Sequence, residues 1–329
     1  MYINQIYELS MVLDHERFQK VLRRANIRND CFEEDEYIDL SFSHKGMIVK
    51  YRNSSYKKKV KVIINSWVFM KNDNPEPDKF IRKLNKRINE YFDQRYRIDD
   101  FVLSRIVLMK DIDVHGHKNV SAYIKVLQRI GRVKGFSRST DERLDNVDSF
   151  CLDGNSNGIL FRMYDLERMC RMQAKNNDMR VKPDIKIAGG ILRVEIHIDK
   201  SKTIRSYAGE TDVSDQIAEA LRKHRDIFLE IFVRIVPFGD FHKKDKAVEI
   251  IRSEVKDIRM QRKMLRLLTL IPEKKSVYLA QRAMNYRNVE KIMTSFAKIN
   301  VSPVTISRRQ DVKQLGNIYE YLLGRREVV

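Results

Sequence analysis

The stretch from Ile191 to Ile198 constrains the fold more than any other. Leu192, Val194, Ile196 and Ile198 fall on one side of an extended chain, and Arg193, Glu195 and His197 on the other. That period of two belongs to a strand with one covered and one polar face. Gly189 and Gly190 precede it as a turn signal. Similar β-rich runs bounded by polar breakers occupy 37–42, 47–51, 60–70, 101–114 and 159–164. Two helices are expected between them. Asp78 opens one with an apolar stripe of Phe80, Leu84, Ile88 and Tyr91. Asn119 caps another carrying Tyr123, Ile124, Leu127 and Ile130, which Gly131 ends. The order predicts an α+β fold, with a mainly antiparallel central sheet and helices on one face.

Beyond residue 200 the spacing turns helical. Ile217, Leu221, His224, Phe228 and Ile231 form one stripe, and Val248, Ile251, Val255, Ile258, Leu265 and Leu268 another. Further helices are expected over 277–299 and 310–323. Pro237 and Gly239 mark a connection, which suggests an α+β domain over 1–239 and a basic helical part over 240–329. At 329 residues and 43% hydrophobic, the chain can bury a sizeable core. It has no apolar run of membrane-spanning length, and Met1–Gln5 does not open a secretory signal, so no membrane partner and a cytoplasmic location are expected. Cys31, Cys151 and Cys170 match no zinc spacing and read as reduced thiols.

Charge narrows the partner. There are 64 Lys and Arg against 45 Asp and Glu, a formal net charge of +19, and residues 241–309 hold 17 bases against six acids. A surplus clustered in this way is the electrostatic footprint of a polyphosphate partner. Arg252, Arg259, Arg262, Lys263 and Arg266 are the candidate DNA contacts of the helical part. Arg105, Arg162 and Arg193 are those of the strands.

Three strands carry groups capable of chemistry. Arg193, Glu195 and His197 share the polar side of 191–198. Asp111 and Asp113, two residues apart, end the strand that begins Ser104-Arg105-Ile106, and paired carboxylates suit Mg²⁺ or Mn²⁺. Tyr164 ends the run from Ile159 and precedes a polar helical segment. A tyrosine hydroxyl can attack phosphorus once its proton is removed. Each also has an ordinary structural role available, as a solvated strand face, a polar strand end and a core tyrosine. His115-Gly116-His117 fits a loop better than a metal site.

The order of these elements resembles the gene II family of filamentous phage replication proteins, and more distantly the initiators of rolling-circle plasmids. The resemblance rests on the Ser-Arg-Ile strand, the strand ending in Tyr164 and the Arg-Val-Glu-Ile strand. It extends to Gly46–Tyr51 and 60–70, to Ile299-Asn300-Val301-Ser302-Pro303-Val304-Thr305-Ile306, and to Leu315 and Tyr319–Leu322, covering about 37–323. It implies that Tyr164 is the nucleophile, that Glu195 and Asp111 are metal-binding carboxylates, and that a strand is nicked through a 5′-phosphotyrosine intermediate with Mg²⁺ or Mn²⁺. The partner would be origin DNA, with a host helicase and polymerase, in the cytoplasm of a bacterial host. One departure matters. Val107 stands where many members carry Asp directly after the triplet. Either Asp111 and Asp113 hold the metal with Glu195, or the site is weakened; apart from the resemblance, His197 is placed to supply a ligand in place of the missing carboxylate. The rival expectation is a DNA-binding protein of the same fold that does not cut, with a regulatory or packaging role. A third is an RNA binder stacking bases on Tyr37, Tyr51 and Trp67.

Overall fold

The computed structural model of the chain describes residues 3–28, 37–92, 96–139, 148–175, 188–209 and 211–324. Cys31 lies outside them, while Cys151 and Cys170 are buried free thiols. The N-terminal part runs β1 (Asn4–Leu13), α1 (His15–Arg24), β2 (Tyr37–His44), β3 (Met47–Asn53), β4 (Lys58–Asn65), α2 (Ser66–Phe69), α3 (Pro77–Phe92), β5 (Val102–Asp113) and α4 (His117–Leu127). There follow β6 (Ser137–Arg138), β7 (Ser149–Gly154), β8 (Ile159–Asp165), α5 (Leu166–Lys175), β9 (Ile191–Ile198), α6 (Ser201–Ala208) and α7 (Val213–Ile235). The rest comprises β10 (Phe241–His242), α8 (Lys244–Glu254), α9 (Ile258–Lys274), α10 (Val277–Ala283), α11 (Val289–Lys298), β11 (Gln314–Leu315) and α12 (Ile318–Leu323).

The fold is α+β, as the sequence pattern implies. Among the described residues, one sheet carries nine strands in the order β2-β3-β4-β1-β5-β9-β8-β7-β6, and every adjacent pair is antiparallel. Its covered face buries Tyr7, Leu9, Ile106, Leu108, Phe161, Val194 and Ile196 beneath Ile124, Ile231 and Phe232 of α4 and α7. Apolar side chains on both sides of residue 239 join this cluster, among them Phe241, Ile251, Leu267, Ile292 and Ile318. Among the described residues no helix is long and apolar enough to cross a membrane.

Several expectations give way. The strand read over 60–70 ends at Asn65, whose side chain accepts the Val68 amide and starts α2. Asn119 does not cap α4; its amide donates to the carbonyls of Val114 and His115, and Gly116 holds the cap position. The stripe through Val248 and Ile258 is broken at Asp257, which caps α9 by accepting the amides of Arg259 and Met260, and Ile258 is left 63% exposed. The helix read over 277–299 divides into α10 and α11, because Asn285 takes φ +48° and Asn288 caps the second piece. Over 310–323 only α12 is helical, after the short β11.

Gly131 fits a tighter constraint than a helix stop. It sits at φ +67°, and a Cβ there would lie 2.1 Å from the Lys275 carbonyl oxygen. Next to it, the Arg132 carbonyl accepts the Tyr278 amide at 2.9 Å and the Ser276 hydroxyl at 3.1 Å. This joint fastens α10 to the end of α4.

Candidate active site on the second sheet face

Strand register brings the chemistry together. β5, β9 and β8 are neighbours, and their pairing sets Asp111, Arg193 and Tyr164 in one row. Met109, Glu195 and Arg162 form the next row, and Val107, His197 and Leu160 a third. Cross-strand partners share a face, so all nine side chains leave the sheet opposite its main core.

Glu195 is the hub. Its Oε1 accepts the Tyr164 hydroxyl at 2.5 Å, and its Oε2 lies 3.0 Å from His197 Nε2 and 3.8 Å from an Arg162 terminal nitrogen. Arg193 grips Asp111 bidentately, at 2.6 and 2.8 Å. A separate group of charges lies beyond the third row, toward β1 and β4. Arg105 pairs with Asp199 at 2.6 Å and lies 3.6 Å from Glu8, which binds Lys61 at 2.8 Å. Asp199, Glu8 and Lys61 were not singled out from the sequence. Glu8 interrupts a hydrophobic run on β1, and that was the available signal.

α5 crosses this face at one end. Asp165 starts the helix by accepting the Arg168 amide at 3.1 Å. Leu166 and Cys170 then form a small second core with Cys151, Ala188 and Tyr164. Tyr164 is left 4% exposed. Burial, and then the negative charge of Glu195, push its hydroxyl well above the ordinary tyrosine range, with Arg193 opposing. Burial also works against ionisation of Glu195. The hydrogen bond and charge of His197, the Tyr164 hydroxyl and Arg193 outweigh it and hold that carboxyl down at about 2. At neutral pH the pair is therefore a neutral phenol donating to a carboxylate.

A pH dependence follows. A raised folded-state pKa contributes stability that is complete below the unfolded value, about 10, and is lost as pH rises above it. Between pH 9 and 11 the wild type is expected to lose more stability than Tyr164→Phe, with a differential slope approaching about 1.4 kcal/mol per pH unit above pH 10. Urea midpoints at several pH values measure this. Parallel curves for the two proteins would contradict the buried, hydrogen-bonded state of the hydroxyl.

The four expected metal ligands do not form one site. Both Glu195 oxygens and both Asp111 oxygens are engaged as described, the latter by a guanidinium. Asp113 accepts the His115 amide at 2.8 Å and lies 3.1 Å from that ring's Nδ1. His197 faces Val107, an apolar side chain where an acid is expected in the resembled family. Among the described residues no group of three or more His, Cys, Asp or Glu is arranged to hold a metal ion. The donors as they stand do not fit Mg²⁺ or Mn²⁺.

The basic residues divide into two populations. Arg105 and Arg193 on the sheet are neutralised by carboxylates, and Arg162 is 6% exposed. A free surface contact with phosphate is thus not what these three offer. On the C-terminal helices, Arg252, Arg259, Arg262 and Arg266 are exposed and Lys263 is half-buried. None of these five has a carboxylate within 4 Å among the described residues. Of the tyrosines expected to stack RNA bases, Tyr51 is 1% exposed and belongs to the core, and Tyr37 sits under Lys61 and Arg52.

Comparison with protein-family models, with curated proteins and with solved structures finds no match to this chain.

Proposed function

We propose that the chain binds DNA and cuts one strand through Tyr164, as a replication initiator of the rolling-circle kind. The observation that carries the reading is the hydrogen bond from the Tyr164 hydroxyl to Glu195, with His197, Arg162 and Arg193 around it. A nucleophile beside its proton acceptor is the arrangement that nucleophilic catalysis requires. In the proposed step the Tyr164 oxygen bonds to phosphorus and the bond to the 3′-oxygen breaks. The tyrosine proton passes to Glu195 and then to the departing 3′-oxygen, leaving a 3′-hydroxyl and a 5′-phosphotyrosine. Arg162 and Arg193 would stabilise charge on the non-bridging oxygens. α5 must move off Tyr164 before a phosphodiester can reach it. The phosphotyrosine keeps the ester bond, so a later 3′-hydroxyl can reseal the strand, and the free 3′-hydroxyl can prime a polymerase.

The burial of Tyr164 and the engagement of the carboxylates favour a second reading, a DNA-binding protein of this fold that does not cut. Incubating supercoiled circular DNA carrying candidate origins with the protein, with and without Mg²⁺ or Mn²⁺, separates the two. Nicked circles with protein attached through Tyr164, mapped by mass spectrometry, support cutting. Shifted but intact circles under every metal condition support the second reading.

DNA binding itself is expected to depend on the unpaired cations of α8 and α9. Arg252→Gln, Arg259→Gln and Lys263→Gln together are expected to flatten the log–log salt dependence of duplex binding by roughly two to three units, at about 0.9 for each phosphate no longer neutralised. An unchanged slope would make these side chains a solvated surface.

A further inference from the structure

A second basic surface lies where α10 and the turn before α11 face the loop after α4. It encloses an open groove of about 760 Å³, with Lys134, Tyr278, Arg282, Tyr286 and Arg287 among its lining residues. Among the described lining residues only Glu290 is acidic. Both tyrosines are half-buried and line the groove. Each ring carries cations. The Arg132 guanidinium lies 5.3 Å and that of Arg282 6.0 Å from the Tyr278 centroid, and the Lys263 ammonium 3.8 Å from that of Tyr286.

These cations differ from those of the sheet. Among the described residues, Arg132, Lys134, Lys263, Arg282 and Arg287 have no carboxylate within 4 Å. Three of them rest on ring faces, a contact worth only about 0.5–1 kcal/mol at an exposed site. A base sliding onto the ring can displace the guanidinium, and the released charge then meets the adjoining phosphate. Aromatic platforms inside a groove of unpaired cations are the elements of single-strand recognition, because the bases of a duplex cannot leave their stack to reach a ring. Lys263 of α9, which rests on Tyr286, links the groove to the basic helices proposed to contact duplex DNA.

We propose that this groove binds single-stranded nucleic acid, with Tyr278 and Tyr286 stacking bases and Arg132, Lys134, Arg282 and Arg287 neutralising phosphates. The inference does not depend on chemistry at Tyr164. It adds a place where a displaced or exposed strand is held whether or not the protein cuts.

The test is fluorescence anisotropy of labelled twelve-residue oligo(dT) and oligo(rU) with the whole chain over a range of salt concentrations. Replacing Tyr278 and Tyr286 together with Leu keeps apolar bulk and removes the rings. It is expected to weaken binding by about tenfold or more, while the Phe pair stays within about threefold of wild type, since each stacked base contributes about 1–3 kcal/mol. Arg282→Gln with Arg287→Gln is expected to flatten the salt slope by about 1.4, at about 0.7 per phosphate on a single strand. Tyr164→Phe should leave all of these values unchanged, which separates this site from the proposed nicking site. Equal affinity in the Leu and Phe pairs would overturn the stacking role. Displacement of oligo(dT) by an acidic peptide as readily as by unlabelled oligo(dT) would overturn the nucleic-acid assignment and mark an acidic-protein contact instead.

Discussion

Gly131→Ala is expected to destabilise the folded chain by at least about 3 kcal/mol, a large fraction of the stability of an ordinary domain. Two costs act together. At φ +67° and ψ −97° Gly131 lies outside even the left-handed helical region, so an L-residue there costs at least what that region does, about 1–2 kcal/mol. The added methyl would also sit 2.1 Å from the Lys275 carbonyl oxygen, with no flexible side chain to give way. Relief requires backbone to shift, and that pulls on the hydrogen bonds from Ser276 and Tyr278 to Arg132. Gly135→Ala is the control. It shares a positive φ, +80°, but its new methyl meets nothing closer than an Arg234 side-chain nitrogen at 4.0 Å. It should cost only the conformational part, about 1–2 kcal/mol. Urea denaturation of both variants measures the difference. Equal losses would mean that the α4–α10 joint is loose.

Tyr164→Phe is expected to reduce strand cutting to background while leaving duplex affinity and salt slope unchanged. The fold should survive with a loss of about 1.5–3 kcal/mol, the range for a hydrogen bond to a charged group, and Glu195 keeps its contact with His197. Glu195→Gln should slow cutting as well, since the amide cannot take the proton. A phenylalanine variant that still cuts would remove Tyr164 from the chemistry. A wild type that binds but never cuts would leave the non-cutting reading in place.

The sheet was legible where one face is buried and the other polar. β9 runs over the span its alternation indicates, and β8 extends it by one residue, to Asp165. β1 was missed because its pattern is locally inverted. Gln5 is fully buried on the core side, bonded to the Ile3 carbonyl and the Ser66 hydroxyl, while Ile6 and Val12 stand on the other face. Alternation alone cannot anticipate a buried polar group that is satisfied by distant partners. The helical breaks were written in the sequence as Asp257 and Asn288, but the apolar stripes ran through them and carried more weight. At the candidate site, residue parity placed Arg193, Glu195 and His197 on one face, while the arrival of Tyr164 beside them rests on the pairing of β8 with β9. It could not show that Asp111 would bind Arg193, because that choice depends on which strand lies beside β5. The tyrosine groove was out of reach for the same reason, since Arg132 and Tyr278 lie far apart in sequence.

The position of β1 inside the sheet, next to the central β5, has a consequence for how the chain reaches its native state. β1 is hydrogen-bonded to β4 on one side and β5 on the other, with Ile6 opposite Asn65 and Val107. β5 in turn pairs with β9, Ile106 opposite Ile198. The two inner seams each close loops on the order of a hundred residues, so loop entropy is lost before the contacts that offset it can form. Until β5 arrives, one edge of β1 is an unpaired strand, open to a neighbouring copy or to a chaperone. Refolding should accordingly be slow and concentration-sensitive, set by these two seams rather than by the helices.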